Sequence, residues 1–257
     1  VQKESNHRLR EAFVDYVSDA NQGSVKVVID SKASAGIARA AAELGSDLIV
    51  IGARGQDESE MFRGSTSEKV IRRSDVPVFS VNERLDFTKV RTLLVPTDGS
   101  DHSLAALDMA ARLAAALGAS IELLHVVELY GSALEEAPRM PGESEENAAR
   151  KGVMAKLAER YDGEDGSPRF SADTPEGGRL SVEEGKIAAN VPVKVSVVRG
   201  VSAHYEIERA AVDRADMVVM ATHGHSGLAH LVMGSTAEKV AQYVDKPVLT
   251  LRPADLD

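Results

Sequence analysis

The stretch RGSTSEKVIRRSDVPVFSV at residues 63–81 is written again, with small changes, as MGSTAEKVAQYVDKPVLTL at 233–251. Just upstream, GSDLIVIGARG (45–55) aligns with RADMVVMATHG (214–224). Gly-Ser-Thr, Glu-Lys-Val, a helical stretch, Asp-x-Pro-Val and an apolar strand recur in the same order. A repeat constrains the fold more than composition does, because both copies must adopt one supersecondary pattern. The chain therefore contains two copies of one unit.

The second copy reads from end to end. Residues 90–100 form a short buried strand closed by a turn, and 103–118 an Ala/Leu-rich helix stopped by Gly118. Strand 119–129, helix 146–161, strand 191–200, helix 203–214, strand 217–221, helix 236–244 and strand 247–251 follow. Strands alternating with helices imply parallel pairing with right-handed crossovers, hence an open α/β sheet covered on both faces. The first copy supplies only the later half: helix to about residue 20, strand 24–30, helix 34–44, strand 47–52, a loop, a helix and strand 76–81. Domains are expected at 1–84 and 90–257, with a linker at 84–89. Residues 162–190, rich in Gly, Asp, Glu and Ser, read as a solvated loop insertion with room for a short hairpin, and 137–145 as a second loop.

At 257 residues the chain can bury two ordinary cores. It has 43% hydrophobic residues and no apolar run of roughly 18, so membrane insertion is not expected. The absence of cysteine and of a signal-peptide pattern fits a cytoplasmic location. A net charge of -10 argues against a nucleic-acid partner, which needs a basic footprint.

In such sheets ligands bind beyond the carboxyl ends of the strands, where strand order reverses. Two segments fall there: Pro96-Thr97-Asp98-Gly99-Ser100, and the Gly-rich loop before the 236–244 helix with Gly224, Gly227, Gly234 and Ser235. Glycines let backbone N–H groups approach an oxyanion, and a following helix N-terminus adds open donors and a positive dipole end. Ser235 and Thr236 bring hydroxyl groups to the same place. No P-loop and no dinucleotide fingerprint occurs, and Lys239, inside the helix, reads as a solvated surface lysine.

Together these segments resemble the ATP-binding branch of the universal stress proteins. The resemblance covers nearly all of 90–252 apart from the insertion, and the later half of the pattern over 1–81. It implies two tandem open parallel five-stranded sheets of strand order 3-2-1-4-5, the first without its N-terminal strands. It places Pro96, Thr97 and Asp98 at adenine and ribose, and Val126 with its backbone against adenine. Ala221, Thr222, His223, Gly224, His225, Ser226, Gly227, Gly234, Ser235 and Thr236 would form the ribose–phosphate loop. ATP, with ADP or AMP as other candidates, and Mg²⁺ carried by the phosphates with Asp98 nearby are the implied ligands. Ala221 departs from the pattern, standing where the family's first loop glycine belongs. In the first copy Gly52 and Gly55 are present, but only eight residues, including Asp57, Glu58 and Glu60, precede Gly64, and no Pro-x-Asp strand exists. Strand order 3-2-1-4-5 would leave a hole in that unit's sheet, so residues upstream of Val1 or another chain are expected to complete it.

His223, His225 and His230 match no metal-site spacing, and no metal ligands are assigned. With no lysine or arginine between Gly224 and Glu238, ATP hydrolysis is expected to be slow at most, and no catalytic residues are assigned. The expected role is a stress-response nucleotide-binding regulator reporting to an unidentified partner. A dimerisation or scaffold protein of the same fold is the alternative. A related-fold ATP pyrophosphatase comes third, and the S-G-G-x-D-S signature that the resemblance to it would require is absent. The final strand of each copy, 76–81 and 247–251, needs cover, either as an internal pseudo-dimer or through a homodimer.

Overall fold

Strand β3 (Thr92–Thr97) is apolar almost throughout and buried on both faces, which suits only the middle of a layered sheet. Leu93 and Val95 face one core and Leu94 the other. The computed structural model describes residues 23–53, 65–81, 85–129, 144–162, 169–184, 187–222 and 233–253. Around β3 the chain sets α1 (Ala33–Leu44), β1 (Ile49–Gly52), α2 (Ser65–Arg73), β2 (Val78–Val81), α3 (Asp101–Leu117), β4 (Ser120–Glu128) and α4 (Glu145–Arg160). There follow β5 (Phe170–Thr174), β6 (Gly177–Glu184), β7 (Ile187–Gly200), α5 (Ala203–Arg214), β8 (Met217–Ala221), α6 (Ser235–Tyr243) and β9 (Val248–Leu251).

The nine strands of the described residues join one sheet in the order β1-β2-β9-β8-β3-β4-β7-β6-β5. Within the second copy the order is β9-β8-β3-β4-β7, every neighbour parallel. Helices α3 and α4 cover the face bearing Leu93, and α5 and α6 the face bearing Leu94. Capping fixes where the helices begin and stop. The Ser100 hydroxyl accepts from the Ser103 amide to open α3, and Gly118, at φ 64°, closes it in a left-handed conformation.

Two separate sheets were expected, and one continuous sheet is found. Its seam is the antiparallel pairing of β2 with β9, Val78 opposite Thr250, Phe79 opposite Leu249 and Ser80 opposite Val248. The interval that carries Gly64 onto Gly234 also carries Phe79 onto Leu249 and Ser80 onto Thr250. The seam is thus an internal two-fold centred on the Phe79–Leu249 pair. Its hydrogen bonds obey that symmetry: buried Ser80 Oγ donates to the Val248 carbonyl (3.3 Å) and buried Thr250 Oγ1 to the Val78 carbonyl (3.2 Å). The helices above repeat it, Arg72 donating to Glu238 (2.7 Å) and its counterpart Gln242 to Glu68 (3.2 Å). Of the two uses expected for the final strands, pairing with each other is the one seen within the chain.

Residues 24–30, expected as a strand, form none. Strand β1 ends the described sheet, and among the described residues no strand lies beside its outer edge to bridge it to 24–30. Side chains hold the segment instead: Lys26 pairs with Glu43 (2.8 Å), and Arg39 with Asp30 (2.9 Å). Because 24–30 does not flank a gap, the expected hole inside the first unit's sheet is absent among the described residues, and β1 lies at the edge with Val50 62% exposed. The N-terminal helix expected to about residue 20 lies outside the described residues.

The insertion also differs from expectation. Instead of a loop, β5, β6 and the first half of β7 make an antiparallel meander that widens the sheet by two strands. Alternation explains it: Leu180 and Val182 turn inward while Ser181 and Glu183 face water, and Phe170 joins the same core beneath α4. Helix α4 is locked onto α3 there, since Asp108 accepts from both Arg160 (2.8 Å) and Tyr161 Oη (2.8 Å). Burial, with the Asp108 carboxylate second, pushes the Tyr161 phenol well above its ordinary range, so it stays a donor.

Leu180→Ala should lower the unfolding free energy by about 2–4 kcal/mol in urea titration, and Ser181→Ala by under about 0.5. Equal, negligible effects would fit a solvated loop. Phe79→Ala should cost about 3 kcal/mol and lower one shared midpoint for both copies, seen as coincident fluorescence and circular-dichroism curves.

Candidate functional site

Strands β3 and β4 stay paired from Thr92–Ser120 to Thr97–His125, but β3 and β8 pair only at Leu93–Met217 and Leu94–Val218. Beyond those two positions β3 and β8 diverge, at the point where the strand order reverses. A cleft of about 280 Å³ opens between their carboxyl ends. Pro96, Thr97, Asp98, Val126, Ala221, Thr222, Gly234, Ser235 and Thr236, all singled out from sequence, line it together. His223, Gly224, His225, Ser226 and Gly227, with the acidic loop of the first copy, lie outside the described residues.

One wall is the turn after β3. Asp98 Oδ1 accepts from the Ser100 amide (2.9 Å) and hydroxyl (2.6 Å). Thr97 Oγ1 accepts from the Gly99 amide (3.0 Å) and shares a hydrogen bond with Ser103 Oγ (2.7 Å). Gly99 sits at φ 80°, a conformation that side chains resist, and this lets the chain double back behind Asp98. Asp98 is therefore presented on a turn whose local shape is set by these hydrogen bonds.

The opposite wall is the start of α6. The Gly234 amide donates to the Thr222 carbonyl (2.8 Å), and the Thr222 amide to that of Leu251 (2.8 Å), so the end of β8 and the start of α6 are held side by side. The N-cap residue Gly234 has no side chain to cap the first turn, in contrast to Ser100 on α3. The amide ends of α6 thus face the cleft with the positive end of the helix dipole, the arrangement that suits an oxyanion. Gly234 has φ -61°, and a Cβ there would meet only the Thr222 carbonyl at 3.5 Å, so glycine is not imposed by backbone conformation. Ala221 ends β8 in extended backbone that alanine adopts without cost.

Between the walls the surface is apolar. Leu124, Ala203, Ile207 and Met220 contribute, none of them identified from sequence. Their signal was faint, since Ile207 and Ala203 lie on the first turns of α5 and carry no polar group to mark them. Nearby, burial first and the Lys239 ammonium second lower the His204 pKa, so its imidazole is neutral at pH 7 and brings no charge to an anion. No lysine or arginine lines the cleft among the described residues. Among them, too, no group of three or more His, Cys, Asp or Glu is placed to hold a metal ion, and no helix is long and apolar enough to cross a membrane.

In the first copy a hollow of about 510 Å³ is lined by Ala33 and Thr66, the counterparts of Ala203 and Thr236, together with Lys32, Lys69 and Arg72. Among the described residues no strand flanks β1 where β3 flanks β8, so the wall that carries Asp98 has no counterpart there.

Comparison with known proteins agrees with the architecture. The model of the universal stress protein family matches residues 2–82 and 89–252. A universal stress protein of Methanocaldococcus jannaschii is 26% identical over 167 residues, covering 63% of this chain and 82% of that protein. One from Mycolicibacterium smegmatis is 26% identical over 214 residues, and the match covers 81% of this chain but 62% of the relative's length. Among solved structures, a universal stress protein from Archaeoglobus fulgidus superposes with TM-score 0.61 at 18% identity, over 98% of this chain and 82% of that one. Two matched segments in tandem, a parallel-dominated α/β sheet and these relatives lead to one conclusion: the chain belongs to the universal stress protein family.

Proposed function

We propose that this protein is a stress-response regulator that binds an adenine nucleotide, ATP foremost, in the cleft between β3 and β8. The supporting observation is the pairing of unlike walls across about 280 Å³: an apolar surface suited to a base, and the uncapped start of α6 suited to phosphate. The Asp98 carboxylate at the rim is placed to accept from ribose hydroxyls. The donor set fits Mg²⁺ only as a companion of the phosphates. One carboxylate, Asp98, lines the cleft among the described residues, so the ion would take its other ligands from phosphate oxygens and water.

The same lining argues for a switch rather than an enzyme. Neither the described cleft nor residues 225–237 supplies a cation for the charge that develops on a transferring phosphoryl group, so hydrolysis is slow or absent. Occupancy would instead be reported to a partner surface, in the cytoplasm. The domains follow the two repeats, 1–84 and 90–257, and nucleotide is assigned to the second. In the rival reading, a nucleotide-free scaffold that dimerises through its final strands, β2 and β9 would have to be available, and here they are paired with each other.

Titration with a fluorescent ATP analogue tests the proposal. Wild-type protein should saturate, Asp98→Ala should weaken binding about tenfold through loss of charge-assisted hydrogen bonds, and Gly234→Val should weaken it at least as much by crowding the start of α6. No binding by wild type at millimolar nucleotide would leave the scaffold reading.

A further inference from the structure

Asp98 lines two hollows, one on each side of the sheet. Behind the nucleotide cleft lies a smaller one of about 80 Å³, bounded by Asp98, Gly99, His125 and the α4 residues Ala148, Gly152 and Lys156. Strand alternation produces the arrangement: Val126 points into the front cleft, while His125 and Val127 point into the rear hollow. Small side chains on α4 leave the hollow open. A turn with empty space behind it can sag into that space unless something holds it forward.

Two side chains provide that hold. His125, 2% exposed, places Nδ1 2.9 Å from the Thr97 carbonyl. A carbonyl only accepts, so Nδ1 carries the proton. From α4, Lys156 Nζ donates to the Gly99 carbonyl. The carbonyls before and after Asp98 are thus each gripped from the rear. The Lys156 grip is firm because α4 itself is fixed: Leu157 and Val153 are buried, the helix end is tied to Asp108, and its start is tied to Arg199 through Glu145 (3.1 Å).

We propose that Lys156 and His125 are positioning residues that hold the Asp98 turn forward against the front cleft, with Lys156 as the latch. The inference rests on the nucleotide reading for its consequence and on geometry alone for its mechanism. Lys156 lines the rear hollow and not the front cleft. It acts on Asp98 through the Gly99 carbonyl, from a helix whose sequence marks it in no way as part of a site.

The test uses Lys156→Met, which keeps the aliphatic stem, and Lys156→Arg, which restores a cationic donor. Amide hydrogen exchange on the ligand-free protein should be about fivefold faster at Gly99 and Ser100 in Lys156→Met, unchanged in the middle of α3, and returned toward wild type in Lys156→Arg. The fluorescent ATP analogue should bind Lys156→Met about five- to tenfold more weakly and Lys156→Arg within about twofold of wild type. Unchanged exchange in Lys156→Met overturns the latch. Faster exchange with wild-type affinity overturns its role in positioning Asp98. If wild type binds no analogue at all, the nucleotide reading falls, and the exchange measurement by itself decides whether Lys156 holds the turn.

Discussion

The structure depends on the pairing of Phe79 with Leu249. Through that one antiparallel register the last strands of both copies cover each other's open edge, and two sheets become one. Both faces of the seam are filled. Phe79 and Leu249 enter the core under α3 and α4, while Val78 and Val248 enter the core under α5 and α6, alongside Val70, Ile71 and Val240. Burial of this kind is the dominant favourable contribution to folding, and here it is shared between copies. The short first copy has only two strands in the described sheet, too few to hold a core unaided. It borrows the second copy's.

That dependence carries to the cleft. Strand β8 is fixed by β9 on one side and briefly by β3 on the other, and β9 is fixed by β2. The Thr222 amide bonds to Leu251 of β9, so the base of the Gly-rich loop is anchored to the strand that forms the seam. The other wall depends on the opposite flank of the sheet: β4 supplies Val126 and His125, and α4 backs the Asp98 turn. The cleft is where these two supports meet, and each wall can shift only as far as its own support allows.

Much of this was legible in the sequence because it was written twice. The repeat gave the alternation of strands and helices, and Gly118 marked a helix end that the structure places at that residue. The lining residues 96–98 and 234–236 were legible because turn chemistry and helix starts have local signatures, whereas 126 and 221–222 were reached only through the resemblance to the family. Three things were not. Residues 24–30 carry a strand's composition, but strands exist only with a partner, and the partner is a tertiary fact. The alternation of Leu180 and Val182 was drowned by the surrounding Gly, Asp and Glu of 162–190, so a meander looked like a loop. Lys156 and His125 gave no signal, because a lysine on a helix and a histidine in an apolar strand gain meaning only from what stands opposite them.

Writing both halves of the seam into one polypeptide has a thermodynamic consequence. A two-fold contact between separate molecules dissolves on dilution, since its stability depends on protein concentration. Here the chain joining Val81 to Thr92 holds the two edges within reach of each other, at an effective concentration set by tether length and unaffected by how much protein is present. The two sides are also free to differ, as Arg72 and Gln242 already do across the axis. A symmetric dimer must use one sequence for both roles. A fused pair can keep one copy for binding and shape the other purely as its buttress.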